Sequence, residues 1–472
     1  MAPSLSNTEL LRYADLCAPG SGELLLSDVI ASFSYALDLT EGQAPGHCLR
    51  ACWVGMHVGR RLGMGETALW DLYYTILLKD AGCSSNAARL CELYGQDDRA
   101  TKRDFKWVDT DSVVQLARFV LSHTGVRGQL ADRFKRLLHL VGHGESLATE
   151  LIQTRCERGA DIARRLGFNE DVAWGIHCLD EHWDGRGKPS GMKGADVPVN
   201  ARIALLSQVV DVFHHVAGPE AALREVRRRS GTWFDPELVA VVNALAGDVD
   251  FWQGLAADDM EPRVRDLEPA SRTLAVDDDL LDEIAAAFGQ VVDSKSPYTA
   301  GHSERVALYT DILAARMGLS PQRRRWLKRG ALLHDLGKLG VSNSILDKPG
   351  ALTDEEWTEV RRHPALTREI LSRMAPFEEL AVMAGAHHER LDGGGYPLGM
   401  VAAELSVETR IITICDIFDA ITAERPYRGP IPVPEALEIM GRMVGTALDP
   451  ACYRTLLESV DEMQRLVADE RG

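Results

Sequence analysis

Positive charge is the first property that this sequence has little of. Its 52 Lys and Arg residues are outnumbered by 70 Asp and Glu residues, which leaves a formal net charge of −18. A protein of that charge offers no overall positive field to nucleic acid or to an anionic membrane surface. We therefore expect no DNA partner, and an anionic substrate would need a local basic pocket or metal ions.

Long apolar runs and cysteine pairs are also missing. No stretch approaches the roughly 20 apolar residues of a membrane span. The opening residues MAPSLSNTELLRYADL lack the basic and apolar regions of a secretory signal. The nine cysteines form no CxxC pair, which fits reduced thiols better than a disulfide framework. These absences predict a cytoplasmic protein without membrane contact.

Strand-like alternation is nearly absent, whereas helical periodicity is common. Apolar residues recur every three or four positions in 306–319 and 435–444. Residues 247–279 are acidic and weakly periodic, as expected of a linker. The sequence therefore predicts an all-α protein with two domains, 1–246 and 280–472.

The two halves resemble each other, which indicates an internal duplication. GHCLRACWVGMHVGRRLGM (46–64) aligns with GHSERVALYTDILAARMGL (301–319) at an offset of 255. EHWDGRGKPSGM (181–192) aligns with ERLDGGGYPLGM (389–400) at an offset of 208. The difference means that the N-terminal copy carries a net insertion of 47 residues. The inserted stretch, 85–125, is predicted to add helices.

The main chemical signal is the adjacent pair His334 and Asp335 in LLHDLGK. An imidazole and a carboxylate can ligate one metal ion together, and the carboxylate can bridge two. Taken alone, these two adjacent residues could equally be a helix-end aspartate beside a hydrogen-bonded histidine. More candidate ligands lie on other segments, and the whole set is His302, His334, Asp335, His363, His387, His388 and Asp416. Such a set is large enough for a dinuclear centre, which suits phosphodiester hydrolysis.

HDLGK, HHERLDGGGYP and DIFDAITAERPYR occur in this order within about 298–430, and they resemble the HD-GYP family of the HD phosphohydrolase superfamily. Members of that family hydrolyse cyclic di-GMP, and some prefer 3′,3′-cyclic GMP-AMP, with two or three metal ions that are commonly iron or manganese. The resemblance implies two tandem HD-type helical domains, of which the C-terminal one is catalytic. It also implies that the seven side chains are metal ligands, with Asp335 as the bridge.

The same resemblance implies the residues that meet the substrate. Asp335 and Lys338 are the expected catalytic residues, and Lys338 would contact the scissile phosphate. The expected substrate contacts are Lys338, Gly395, Tyr396, Pro397, Arg425 and Arg428. Taken singly, these features are also compatible with a helix C-terminal cation, a glycine turn and a solvated charged face.

The metal count follows from one departure from the family pattern. Members with three metal ions carry a glutamate four residues before the first histidine, where this chain has Tyr298. We therefore expect two divalent metal ions, iron or manganese, in the catalytic domain.

The N-terminal copy is predicted to have lost its centre. His47 and Asp80 match His302 and Asp335, but two of seven ligands cannot hold two metal ions. The other five ligand positions carry Lys79 for His334, Cys156 for His363, Leu179 and Asp180 for His387 and His388, and Gln208 for Asp416, and Cys83 also stands in place of Lys338. This copy is expected either to sense a signal or mediate a homodimer, or to serve as a scaffold.

Three functions remain open on the sequence alone. The first is a cyclic-dinucleotide phosphodiesterase, with cyclic di-GMP favoured as the commoner family substrate. The second is another HD-type nucleotide phosphohydrolase, which the GYP and ERPYR segments disfavour. The third is a non-catalytic nucleotide-sensing protein, which the full ligand set disfavours.

Overall fold

The computed structural model describes residues 24–108, 112–124, 130–270, 274–374 and 377–469. The prediction about the opening residues therefore lies outside the described residues. Over those five ranges the regular structure is helical, and strand pairing is limited to isolated bridges. The predicted all-α fold is confirmed. Among the described helices, none combines the length and the hydropathy that a membrane span requires.

The contacts divide the chain into two compact units. The first comprises Leu24–Leu280 together with Ser342–Ser344, and the second contains the other residues from Leu281 onwards. The helices of the first unit are α1 (Leu26–Thr40), α2 (His47–Arg61), α3 (Glu66–Leu77), α4 (Ala87–Tyr94), α5 (Asp98–Phe105), α6 (Val113–His123), α7 (Leu130–Arg165), α8 (Glu170–His177), α9 (Val199–Arg228), α10 (Pro236–Ala244), α11 (Val249–Leu255) and α12 (Met260–Arg265).

The remaining helices belong to the C-terminal part of the chain. They are α13 (Asp278–Asp293), α14 (His302–Arg316), α15 (Pro321–Leu333), α16 (Asn343–Leu346), α17 (Asp354–Val360), α18 (His363–Leu371), α19 (Glu378–Ala384), α20 (Val407–Thr422), α21 (Val433–Gly441) and α22 (Pro450–Asp469). In the core of this unit, α14 packs on α15, α20 and α22, and α18 packs on the 3₁₀ turn Leu336–Gly340 and on α19. This packing brings the ends of several helices to one buried point.

The segment predicted as a linker, 247–279, differs from that prediction. It contains α11 and α12, and both helices pack on α2 within the first unit. Phe251, Leu255 and Val264 are at most 2% exposed, so burial of apolar side chains offsets the entropy of ordering this segment. The sequence pattern missed this because the two helices are only seven and six residues long, less than two full turns, which is too short for a helical periodicity to be recognised.

The inserted stretch of the first unit forms helices, as predicted for its described residues. It contributes α4, α5 and α6, and α5 starts at an Asp97 side chain that accepts a hydrogen bond from the Arg99 amide. Lys102 is a buried residue of α5, and Lys106 follows at the helix end. A spacing of four places both lysines on the same helical face.

The two units repeat the same local device at the start of the helix that carries the first histidine. Both α2 and α14 have 15 residues and begin with a histidine after a glycine, and both glycines adopt positive φ. In the first unit Asp38 accepts from the amides of Gly46 and Cys48, and in the second Asp293 accepts from the Ser303 amide. The duplication therefore extends to helix capping.

Candidate metal centre

All seven predicted ligands lie together in the second unit. They come from the first residues of α14 and α18, from the turns that follow α15 and α19, and from the middle of α20. The donor atoms fall into three overlapping groups in which they lie within 4.8 Å of one another. These groups are His302, His334 and Asp335; His334, His387 and Asp416; and His363, His387 and His388.

Asp335 lies at the middle of the set, and its two oxygens face different histidines. Oδ2 is 3.4 Å from Nε2 of both His302 and His334. Oδ1 is 3.3 Å from Nε2 of His363 and 3.7 Å from Nε2 of His387. A carboxylate with one oxygen toward each histidine pair has the arrangement of a bridging ligand between two cations.

Each of four histidines is oriented by a hydrogen bond from Nδ1. His334, His363 and His387 donate to the carbonyl oxygens of Ala331, Val360 and Ala384, at distances of 2.7, 2.7 and 2.5 Å. His302 instead donates to Asp419 at 2.7 Å. These bonds select the tautomer whose Nε2 carries a lone pair directed into the cluster.

The donor set fits a divalent cation on the evidence of its own unsatisfied atoms. Nε2 of His302, Nε2 of His334 and Oδ1 of Asp335 are buried without a hydrogen-bond partner, which is costly unless another group satisfies them. Burial lowers the pKa of His334, but Asp335 and Asp416 together raise it to about 9. Imidazoles and carboxylates facing one point are the ligands that Fe, Mn and Zn accept.

Asp419 was not singled out by the sequence, and it links two side chains of α14. Its oxygens accept from His302 Nδ1, from Arg305 Nε at 2.6 Å and from Arg305 Nη2 at 2.9 Å. Burial raises the pKa of Asp419, but His302 and Arg305 hold it at about 2. The sequence did contain one indication of its role. Asp419 follows Asp416 by three residues on the same helix, and residues at this spacing lie on the same helix face.

Thr367 and Gly337 fix the turn that carries His334 and Asp335. The Thr367 hydroxyl accepts from the Gly337 amide at 2.8 Å and donates to the His334 carbonyl at 2.9 Å. A Cβ atom on Gly337 would lie 2.0 Å from the His363 carbonyl oxygen. Glycine is therefore required for α18 to bring His363 against this turn.

Lys338 and the GYP loop lie beside the ligands. Lys338 Nζ forms an ion pair with Asp335, and its side chain remains 20% exposed. The ring centroid of Tyr396 is 4.9 Å from that of His388. A Cβ atom on Gly395 would lie 2.5 Å from the Glu389 Cα atom, so the loop needs glycine there. The adjacent Pro397 is exposed.

Two further residues near this loop were not predicted from the sequence. Glu389 is buried, and its carboxylate accepts from the amides of Leu398, Gly399 and Met400, which holds the loop in place. Arg361 lies with its guanidinium 5.5 Å from the Tyr396 ring centroid, within the range of a cation–π contact. Its position two residues before His363 was the available signal.

Arg425 and Arg428 lie in the loop that follows α20, nine and twelve residues after Asp416. Arg425 Nε donates to the Ala420 carbonyl at 3.2 Å. The Arg428 guanidinium donates to the carbonyls of Ala420 and Ile421 at 2.8 and 2.9 Å. In the described structure both arginines therefore cap the C-terminus of α20, while their expected contact with substrate remains a prediction.

The first unit corrects one pairing of the sequence alignment. His363 was matched to Cys156, but its structural counterpart is Arg155. A Cβ atom on Gly82 would lie 1.9 Å from the Arg155 carbonyl oxygen, as one on Gly337 would from that of His363. The offset of 208 that relates the GYP and GKP loops also leads from His363 to Arg155. Short helical sequences can be aligned one residue out, whereas this backbone approach admits one register.

The first unit also lacks a counterpart of the arginine loop. In the second unit the loop between α20 and α21 carries Arg425 and Arg428. In the first unit α9 continues through this region, interrupted only at Gly218, whose φ is 77° and which precedes Pro219. The first unit therefore differs from the second in this loop as well as at the predicted ligand positions.

Comparisons with known proteins agree with this geometry. The model of a family described as HD domain matches residues 135–238 and 287–452, and so touches both units. The chain is 53% identical over 92% of its length to a 3′3′-cGAMP-specific phosphodiesterase of Vibrio cholerae, 95% of which is covered. It is 33% identical over 39% of its length to the cyclic di-GMP phosphodiesterase response regulator RpfG of Xanthomonas campestris, 49% of which is covered.

A solved structure extends the likeness to the fold. A crystal structure described as a cyclic GMP-AMP-specific phosphodiesterase of Vibrio cholerae is 49% identical and aligns with a TM-score of 0.65. The alignment covers 93% of this chain and 98% of that one. The chain therefore belongs to the HD domain family, with an HD-GYP unit at its C-terminus and a degenerate copy of it at its N-terminus.

Proposed function

We propose that the second unit is a metal-dependent phosphodiesterase that hydrolyses a cyclic dinucleotide, with 3′3′-cGAMP preferred over cyclic di-GMP. The observation that carries the proposal is Asp335, whose two oxygens face two different pairs of histidines. A carboxylate between two imidazole groups suits a pair of cations, and a pair of cations suits a phosphodiester.

The ligands of this centre are the seven side chains that the sequence predicted. Two divalent ions are proposed because Asp335 offers one oxygen to each side, and because Tyr298 stands where three-metal members carry glutamate. Iron or manganese suits the mixed set of five imidazoles and two carboxylates. When bound, such ions polarise the phosphoryl oxygens and stabilise charge on the leaving alkoxide.

The chain's own groups orient the reacting parts. The Nδ1 hydrogen bonds of four histidines hold their rings, so that these four side chains need no reorientation when substrate arrives. Lys338 forms an ion pair with Asp335 and reaches solvent, and it would place a cation beside the scissile phosphate. Both effects belong to preorganised electrostatic stabilisation.

The substrate would lie against the GYP loop. Tyr396 offers an aromatic face next to His388, on which a purine can stack. Arg361 adds a cation over that ring, and Arg425 and Arg428 lie beyond Asp416, where they would meet the second phosphate or a guanine. These groups suit a ligand with two phosphodiesters and two purines.

The choice of 3′3′-cGAMP rests on the extent of the likeness. The sequence alone favoured cyclic di-GMP as the commoner family substrate. The relative named for 3′3′-cGAMP matches 92% of this chain, including the degenerate copy, at 53% identity. RpfG, which is named for cyclic di-GMP, matches 39% of it. Similarity across both units favours the substrate of the first relative.

The test is turnover of 3′3′-cGAMP and cyclic di-GMP by the full chain, purified without chelator, with metal content measured on the same sample. We expect about two metal ions per chain and a higher kcat/KM for 3′3′-cGAMP. Asp335→Asn should lose turnover and metal, because the shared ligand becomes neutral. Asp311→Asn, which alters an ion pair between Asp311 of α14 and Arg324 of α15, should retain both.

Each part of the proposal can be contradicted separately. A higher kcat/KM for cyclic di-GMP would reject the substrate preference and leave the centre intact. Normal metal content and turnover in Asp335→Asn would reject the centre itself. Metal without turnover of either compound would reject cyclic dinucleotides as substrates.

The first unit is proposed as a non-catalytic domain, with a regulatory or structural role. The domain division 1–246 and 280–472 is part of this proposal, with the boundary moved by the two helices in 247–279. Removal of residues 1–277, which takes away α11 and α12 with the rest of the first unit, should change the oligomeric state or the activity of the remaining chain. An unchanged state and unchanged activity would contradict a regulatory role or a homodimer contact.

A further inference from the structure

The buried turn that lost its histidine in the first unit contains an ion pair. Lys79 takes the position of His334, and its ammonium pairs with Asp80, the counterpart of Asp335. The side chains of Lys79 and Asp80 are at most 1% exposed. A buried carboxylate requires a counter-charge, and here a lysine provides it.

A second ammonium comes from the inserted segment. Lys106 Nζ lies 3.4 Å from Nε2 of His47, 3.3 Å from Oε2 of Glu41 and 4.0 Å from Oδ2 of Asp80. In the second unit the corresponding histidine atom, Nε2 of His302, faces Asp335 and has no hydrogen-bond partner. Lys106 thus stands between the two ligands that this copy retains.

A third pair replaces two more histidines. Arg155 and Asp180 correspond to His363 and His388, and they form a salt bridge. The side chains are only 21% and 18% exposed. Three cations, from Lys79, Lys106 and Arg155, therefore stand at or beside positions that carry metal ligands in the other unit.

We propose that the cationic groups of Lys79, Lys106 and Arg155 take, in the first unit, the place that metal ions take in the second. The insertion supplies Lys106 for this purpose. The first unit is then a complete fold without metal, whereas the centre of the second unit depends on it. This inference goes beyond the proposed function, because it concerns the copy that performs no hydrolysis.

The proposal also explains a group that distance alone would mark as a metal site. Donor atoms of Glu41, Asp80 and Cys83 lie within 4.8 Å of one another. However, Lys106 and Lys102 both lie within ion-pair distance of Glu41, and Lys102 also donates to the Cys83 carbonyl at 2.8 Å. Burial raises the pKa of Glu41, but Lys106 and Lys102 hold it at about 2. The ammonium groups of Lys102 and Lys106 therefore already neutralise the charge of the Glu41 carboxylate in this group.

The test is hydrogen–deuterium exchange of the full chain, followed by mass spectrometry, with and without a chelator. We expect the chelator to accelerate exchange in α14 and in residues 336–340, and to leave exchange in α2 and in residues 77–86 unchanged. Equal acceleration in both units would overturn the proposal, and this measurement needs no variant.

Lys106→Met supplies the second test, because methionine keeps the apolar stem and removes the ammonium. Exchange in α2 and in residues 77–86 should become about 100-fold faster, since one partner of a buried ionic group is lost. The matched control is Arg103→Met on the same helix, whose side chain is 53% exposed and should have no effect. If α2 and residues 77–86 exchange no faster in Lys106→Met than in Arg103→Met, the proposed role of Lys106 is overturned.

Metal analysis completes the design. A chain with Asp335→Asn and His387→Ala, which disables the centre of the second unit, should bind neither Mn²⁺ nor Fe²⁺ at micromolar concentration. Stoichiometric metal in that variant would place an ion in the first unit and overturn the proposal.

Discussion

Asp419 and Asp211 form a matched pair, and substituting each should separate metal binding from stability. In the second unit Asp419 accepts from His302 Nδ1 and from the Arg305 guanidinium. In the first unit Asp211 accepts from His47 Nδ1 and Arg50 Nε, both at 2.6 Å. Both carboxylates are at most 2% exposed. The same three-residue arrangement thus lies behind the proposed metal centre in one unit and behind the proposed metal-free copy in the other.

The effect of Asp419→Asn follows from the bonds that it breaks. A carboxylate accepts from both neighbours, whereas an amide has one acceptor oxygen, and its NH₂ group meets either His302 Nδ1–H or the guanidinium. Loss of a hydrogen-bonded partner behind a metal-binding histidine costs about 10- to 100-fold in metal affinity, or about 1.4 to 2.7 kcal/mol. Both variants should also lose about 3 kcal/mol of stability, because each leaves a buried cation without its counter-charge.

The assay is Mn²⁺ titration of apoprotein, followed by turnover at each metal concentration and thermal unfolding of both variants. Asp419→Asn should need about 10 to 100 times more metal for half-maximal activity, whereas Asp211→Asn should match the parent protein. Unaltered metal dependence in Asp419→Asn would refute the orienting role of Asp419. A similar loss in both variants would show that general destabilisation, and not ligand orientation, accounts for the effect.

Three further predictions concern single side chains. Arg361→Met should raise KM about tenfold with little change in kcat, because the cation that lies over the proposed purine-stacking ring of Tyr396 is lost; equal effects in Arg362→Met, an exposed neighbour paired with Glu359, would contradict this. Lys338→Met should lower kcat while metal content stays constant, and a parallel loss of metal would contradict its assignment to the phosphate. Burial raises the pKa of Asp38 from 3.8 to about 6, so its stabilising contribution is present below about pH 4 and is lost as the pH rises through 6. The melting temperature of Asp38→Asn relative to the parent should therefore rise between pH 4 and 7, and a constant difference would contradict the shift.

The sequence alone was sufficient for the architecture and for the choice of the candidate ligands. Helical periodicity predicted an all-α protein, and two constant offsets revealed the duplication. The candidate ligands could be named because they stand in short motifs such as HDLGK or HHERLDGGGYP. Local spacing determines which residues share a turn or a helix face, so information of this kind is readable without a structure.

The tertiary structure alone decided how distant residues meet. Asp419 lies 117 residues from His302, and Lys106 lies 59 residues from His47, and no local pattern relates either pair. An offset of 208 in the sequence also relates His363 to Arg155, but the approach of Gly82 to the Arg155 carbonyl oxygen is what decides for this register over the match with Cys156. Contacts across long separations are set by the packing of whole helices, and packing also placed the two oxygens of Asp335 between separate pairs of histidines.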